Sequence, residues 1–293
     1  MKNWTTILPE QQELQIWHSY MLAAVGPRPI AFVSTIDLEG RPNLAPFSFF
    51  NVFGSNPPTL IFSPARRSKD NTTKHTLHNV EAVKECVINV VSYSMVEQMS
   101  LASTEFEEGV NEFEKAGFSA VASLFVRPPR VGQSPANFEC EVVDIIKTGT
   151  EGGAGNLVVC KILAMHIDNQ MILETGKIDQ MGMDLVGRMG YEYYCRANSE
   201  SIFELPKPKS NRILGFDGLP KEIRESEFLT GNELARLANS TAIPLPSSLD
   251  MEALPAVSSA TFFEFYIQRG KQHIKNNEIE KAWLYLRVAY NLI

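Results

Sequence analysis

The chain has 293 residues, 44% of them apolar, enough to bury a core as one large domain or two ordinary ones, so disorder is not the default reading. A formal net charge of -7 and a pI near 5.4 weigh against a protein whose main partner is nucleic acid or an anionic membrane. Apolar runs such as 86–91 and 157–163 stop well short of the roughly 20 residues that a membrane span requires.

In chain order, Met1 to Glu10 carries one lysine and no sustained apolar stretch, so no secretory signal is read and the cytoplasm is the expected compartment. Pro27 and Pro29 suppress helix ahead of Ile30 to Asp37, a β-rich run that ends at the turn-prone pair Glu39-Gly40. Asn43 to Phe53 reads as the next strand, Asn56-Pro57-Pro58 breaks it, and Thr59 to Ser63 resumes as a short buried strand. From Asp70 to Glu85 the spacing turns helical through Leu77, Val80 and Val83, with Asp70 or Asn71 as the expected N-cap. Cys86 to Tyr93 is a further strand, and Ser94 to Ser103 and Val110 to Ala116 read as short helices. Strands return at Val121 to Val126, Phe138 to Ile146 and Leu157 to Ile167, the last two flanking a loop with Gly149, Gly152, Gly153 and Gly155. This predicts a mainly β barrel or sandwich with helices rather than repeated βαβ units.

Beyond about residue 200 the texture changes. Pro206-Lys207-Pro208-Lys209 reads as a linker, Thr230 stands three positions before Glu233 as in a capping box, and 261–293 reads as a helical hairpin turning near Asn276-Asn277. The expected division is therefore 1–200 and 201–293. Cys86, Cys140, Cys160 and Cys195 are widely scattered, which favours free thiols over disulfides or a zinc site. His75 and His78 lie three apart without a third ligand at suitable spacing, so no metal site is read.

Three segments carry candidate chemistry. Residues 63–73 combine a strand end, the cations Arg66, Arg67 and Lys69, the hydroxyls of Ser63 and Thr72, and a helix start, which together suit a phosphate. The plain alternative is a solvated loop with a capping residue. Asn43 to Asn51 mixes small, polar and aromatic groups without clean alternation, as a strand does when it presents donors to a planar ligand, or when Ser48 and Asn51 simply bond backbone in a core strand. In Gly187 to Tyr194 a glycine-flanked Arg188 precedes three tyrosines, either an anion contact beside a ring pocket or a surface arginine over aromatics. No nucleophile-elbow or triad pattern is present, so no catalytic side chain is assigned.

The order of these segments resembles the flavin reductase-like family of FMN-binding split barrels. The resemblance runs from Gly26-Pro27-Arg28-Pro29 and Ile30 to Thr35 through Asn43 to Ser48, Phe62-Ser63 and Lys69-Asp70-Asn71-Thr72, then Val87 to Val90, Phe138-Glu139-Cys140 and Arg188-Met189-Gly190. It implies a homodimer of split barrels with FMN near the subunit interface. Ser34 and Thr35 would border the flavin, and Asn43, Ala45, Pro46, Phe47 and Ser48 would contact its ring or ribityl chain. Ser63, Lys69 and Thr72 would hold the phosphate with Arg66 or Arg67, and Arg188 would approach the cofactor. The family pattern carries glycine after an Arg-Leu-Gly unit, where this chain has Tyr191. The implied activity is electron transfer from NADH or NADPH through FMN to an acceptor. A non-catalytic flavin carrier, or a split-barrel interaction protein with a partner-binding helical tail, stays open beside it.

Overall fold

In the computed structural model, which describes residues 3–208, 211–244 and 261–292, the chain divides into two units, Met1–Phe203 and Glu204–Ile293. Lys209 of the expected linker lies outside the described residues. The first unit runs α1 (Leu14–Ala24), β1 (Arg28–Pro29), β2 (Ala31–Ile36), β3 (Pro42–Phe47), β4 (Phe50–Ser55) and β5 (Pro58–Phe62). Then come α2 (His75–Val83), β6 (Glu85–Asn89), α3 (Val96–Leu101), α4 (Glu112–Lys115), β7 (Ala120–Val121) and β8 (Arg130–Val131). The long pair β9 (Ala136–Lys147) and β10 (Asn156–Ile167) follows, and β11 (Leu185–Arg188) and β12 (Tyr194–Ala197) close the unit.

Seven strands pair antiparallel in the order β3-β2-β6-β9-β10-β5-β4. The two edge strands, β3 and β4, are consecutive in the chain and separated only by Ser48 and Phe49, so the sheet curls on itself as a split barrel. The single strand expected over 43–53 is thus two. Phe47 pairs with Ala31 of β2, whereas the Phe49 carbonyl already accepts the Ser63 N–H at 2.9 Å on the β5 side. An edge position also accommodates Pro42 and Pro46, which cannot donate to a ladder.

β2 is buried at all six positions because both its faces are covered. Ala31 and Val33 enter the barrel core with Leu60, Phe62, Leu77, Val80, Ile88 and Val158. Phe32 belongs to a second cluster with Leu44, Met95, Met99, Phe113 and Phe118, where α3 and α4 cover the opposite face. Burying a side chain of this size contributes about 1.5–3 kcal/mol. The two clusters therefore fix the register of β2 and β3 tightly, since a slip of one residue would exchange the faces.

Several expected elements are shorter than read, two of them for reasons visible in their hydrogen bonds. The helix expected from Asp70 starts at His75, because Asp70 does not cap it. Its Oδ1 instead accepts Thr72 N–H at 3.0 Å and the Thr72 hydroxyl at 2.6 Å in a local turn, and Asn71 has φ 57°. The strand expected over 121–126 stops at Val121, because the N–H groups of Leu124, Phe125 and Val126 turn to the Glu139 carboxylate. The sequence reading has no helix at α1, none of whose residues is buried.

The second unit holds α5 (Lys221–Arg224), α6 (Gly231–Ala238), α7 (Phe262–Lys275) and α8 (Ile279–Ala289). Thr230 and Glu233 form the capping box at the start of α6, and Asn277, with φ 61°, turns α7 into α8. Trp283 is fully buried among Leu237, Ile267, Ile274 and Leu286, and its indole N–H donates to Ser240 at 3.1 Å. Among the described residues no helix is long and apolar enough to cross a membrane.

Candidate functional site

The segment between β5 and α2 is held by its backbone before any side chain matters. Arg66 N–H donates to the Ala154 carbonyl at 2.9 Å, Gly153 N–H to the Arg66 carbonyl at 3.0 Å, and Arg67 N–H to the Thr72 carbonyl at 2.9 Å. A Cβ on Gly152 would sit 3.1 Å from the Arg67 carbonyl oxygen, so the glycine lets the β9–β10 loop come close. That loop is a structural support for residues 66–68 rather than an ornament of the hairpin.

So placed, Arg67 lines a cleft along the edge strand β3, together with Asn43, Ala45, Pro46, Phe47 and Lys74. The segment Ala102 to Phe106, between α3 and α4, forms another wall. Arg67 donates from Nε to Glu105 at 2.7 Å and from Nη1 to the Thr72 hydroxyl at 3.0 Å and the Thr73 carbonyl at 2.7 Å. Its Nη2 makes no hydrogen bond among the described residues. Lys74 is half-buried, and among the described residues its Nζ has neither a hydrogen bond nor an ion pair. Burial first, and the neighbouring Arg67 second, lower the Lys74 pKa from the ordinary lysine value. Two cations side by side, one of them without a partner, leave an electrostatic deficit that an anion relieves.

Behind the cleft a buried polar network sets β3 in place. Asn43 donates to Glu112 Oε1 at 2.7 Å and accepts from the Thr76 hydroxyl at 2.8 Å, while Leu44 N–H donates to Glu112 Oε2 at 3.0 Å. Thr35 Oγ1 accepts from Asn79 at 3.0 Å and donates to Asn43 at 3.5 Å. Burial raises the Glu112 pKa against the pull of these bonds. Asn43 and Thr35 thus join β2, β3, α2 and α4, and most of their polar capacity is spent inside the protein.

The structure brings Asn43, Ala45, Pro46 and Phe47 together at the cleft and distributes the other expected residues around it. Ser34 lies on the opposite face of β2 from Val33 and Thr35, fully buried, and among the described residues its Oγ has no hydrogen-bond partner. Ser48 receives a 3.5 Å bond from Arg28 Nε, and Ser63 Oγ accepts Asn156 N–H at 3.0 Å, tying β5 to β10. Arg66 turns to Asn71, bonding its side-chain oxygen at 2.6 Å and its carbonyl. Lys69 and Thr72 are exposed on the Asp70 turn. Arg188 donates to the Tyr193 carbonyl at 3.0 Å and stacks on Tyr194 with 4.5 Å to the ring centre, outside the cleft.

Lys74, Glu105, Phe106 and Glu112 line the cleft without having been marked in sequence. Lys74 reads as one more residue of an expected helix, and 103–106 lies some thirty residues from it, so no local spacing links them. A second groove, between α6 and α7, carries Arg236 and Lys271, but these cations serve the backbone: Arg236 bonds the Ile274 carbonyl at 2.6 Å and Lys271 the Phe228 carbonyl at 2.8 Å.

Residues 25–181, more than half of the chain, match the family described as flavin reductase like domain. The chain belongs to the flavin reductase-like family. Within known proteins of similar sequence, an uncharacterized protein of Aquifex aeolicus is 37% identical over 183 residues, covering 62% of this chain and 91% of its own length. The crystal structure of nitrilotriacetate monooxygenase component B from Bacillus cereus superposes with a TM-score of 0.65 at 25% identity, covering 70% of this chain and 100% of that one. A 2-nitrobenzoate 2-nitroreductase from Pseudomonas fluorescens superposes with a TM-score of 0.61 at 28% identity, over 69% of this chain and 96% of its own. The fold is the split barrel of this family. Tyr191, which stands where the family pattern carries glycine, has φ 54°, a left-handed conformation that glycine adopts without cost.

Proposed function

We propose that the cleft along β3 binds FMN and that the protein is a flavin oxidoreductase passing electrons from NADH or NADPH to an acceptor. Membership of the flavin reductase-like family supports the class, and one observation carries the cofactor: the half-buried, unpaired Lys74 beside Arg67, at the end of a wall made by Ala45, Pro46 and Phe47. The donor set fits the group. A phosphomonoester needs cations and hydroxyl or amide donors, which Arg67, Lys74 and Thr104 supply, and a planar ring needs a flat, largely apolar strand surface.

Bound FMN would supply reversible one- and two-electron chemistry that side chains do not offer. The protein's part is to orient and to exclude water. Arg67 and Lys74 would hold the phosphate end, and β3, locked by the Glu112–Asn43–Thr76 bonds, would present a rigid surface to the ring. A homodimer in the cytoplasm belongs to the same proposal, and the exposed apolar side chains Leu14, Ile16, Tyr20 and Met21 of α1 and Val52 and Phe53 of β4 are consistent with a covering surface.

The test is the visible spectrum of the purified protein, before and after added FMN, followed by anaerobic mixing with each nicotinamide. Flavin bands that bleach with NADH or NADPH are expected. Bands that persist with both would leave a flavin carrier, and colourless folded protein that takes up no FMN would end the proposal.

A further inference from the structure

The anion position framed by Arg67 and Lys74 already has a carboxylate beside it. Glu105 Oε1 lies 2.7 Å from Arg67 Nε, and both residues line the cleft. The Glu105 side chain is 61% exposed against 19% for Arg67, so the cation is set into the wall while the carboxylate reaches it from solvent. Arg67 is the sole hydrogen-bonding partner of that carboxylate among the described residues. Its segment, 102–111, contains Glu105, Glu107 and Glu108 and no lysine or arginine. Apart from that bond, the charge of Lys74 draws Glu105 to the cleft, and a stronger anion competes for both cations.

Resting on the phosphate reading above, we infer that Glu105 is an internal competitor for the anion position, which a phosphomonoester must displace, and that it thereby determines which anions the cleft admits. The charges decide the outcome. Arg67 and Lys74 with Glu105 in place carry a net charge of about one, and a phosphomonoester brings about -1.5 to -2 at neutral pH with three acceptor oxygens. Its oxygens can take the whole Nε–Nη2 edge of Arg67, of which Glu105 holds only Nε, together with Lys74 Nζ, so binding there displaces the carboxylate. A free monoanion matches Glu105 in charge but lacks its tether, which gives Glu105 an effective concentration in the millimolar range. The cleft therefore accepts phosphomonoesters and refuses simple carboxylates.

The experiment compares the full chain with Glu105→Gln and Glu105→Asp. FMN and riboflavin are titrated by fluorescence, and inorganic phosphate and acetate by thermal shift. An exposed ion pair of this kind is worth up to about five-fold in affinity, so Glu105→Gln is expected to bind FMN about two- to five-fold more tightly, with riboflavin unchanged and Glu105→Asp near the parent. Acetate should raise the melting temperature of Glu105→Gln and leave the parent where it was. FMN affinity unchanged or weakened in Glu105→Gln, or riboflavin tightened equally, overturns the inference. If neither protein binds FMN, the proposed function fails by itself. The phosphate arm then decides the inference: a larger shift in Glu105→Gln sustains it, and equal shifts overturn it.

Discussion

The Glu139 carboxylate and the His166 imidazole meet at 2.7 Å across the β9–β10 pair, and the same carboxylate accepts the N–H groups of Leu124 at 2.8 Å, Phe125 at 2.6 Å and Val126 at 3.2 Å. One fully buried side chain thus replaces the strand ladder that Leu124 to Val126 lack. Burial pushes the Glu139 carboxyl up, but the Leu124 and Phe125 N–H groups and His166 outweigh it and hold the carboxyl below the ordinary glutamate value.

Because the folded-state value is depressed, ionised Glu139 stabilises the fold above its unfolded pKa of about 4.3, and that contribution is lost as pH falls through the folded value. Glu139→Gln places an amide donor against backbone donors and is expected to cost about 2–3 kcal/mol at neutral pH. Urea denaturation should show this loss at pH 7 and a much smaller difference in strong acid. A variant as stable as the parent at pH 7 would contradict it.

At the cleft, Arg67→Ala and Lys74→Ala should each weaken FMN binding by about ten-fold or more, since a charge-assisted bond contributes about 1.5–3 kcal/mol. Lys69→Ala, on the exposed turn, should weaken it by less than either. Ser63→Ala should appear first in stability, because Ser63 Oγ holds Asn156 N–H. Fluorescence titration beside a thermal melt separates the two effects, and a Lys69 effect larger than that of Lys74 would relocate the phosphate.

Arg28 is buried and donates to the Leu22 carbonyl at 2.7 Å, the Val25 carbonyl and the Met189 carbonyl at 2.8 Å, so it binds the end of α1 to the turn after β11. A Cβ on Gly190 would stand 2.8 Å from Ala23 Cα, which shows how closely these backbones approach. Arg28→Ala is expected to cost about 1.5–3 kcal/mol, through the loss of its charge-assisted bonds to three part-buried carbonyls. Limited proteolysis should then cleave α1 first; simultaneous loss of the whole unit would show that α1 does not unfold separately.

Tyr191 is exposed and left-handed, so Tyr191→Gly removes a conformational cost of about 1–2 kcal/mol at the price of a more flexible unfolded chain. A net gain of about 0.5–1 kcal/mol is expected, read as a higher melting temperature. A lower one would assign the tyrosine ring a packing role.

Local chemistry was enough to read β2, β9, β10, the Thr230 capping box and the α7–α8 turn, because apolar runs, caps and turn residues act over a few positions. It also marked Asn43 to Phe47 and Arg67, the parts of the cleft that lie within continuous segments. Only the tertiary structure split 43–53 into two edge strands, turned Ser34 and Thr35 to opposite faces with opposite fates, and freed 70–74 from the helix. It alone brought Lys74, Glu105 and Glu112 beside β3. The reason is physical: periodicity along a chain records that a side chain is covered, while what covers it depends on strand order, which is set by pairings between residues far apart in sequence.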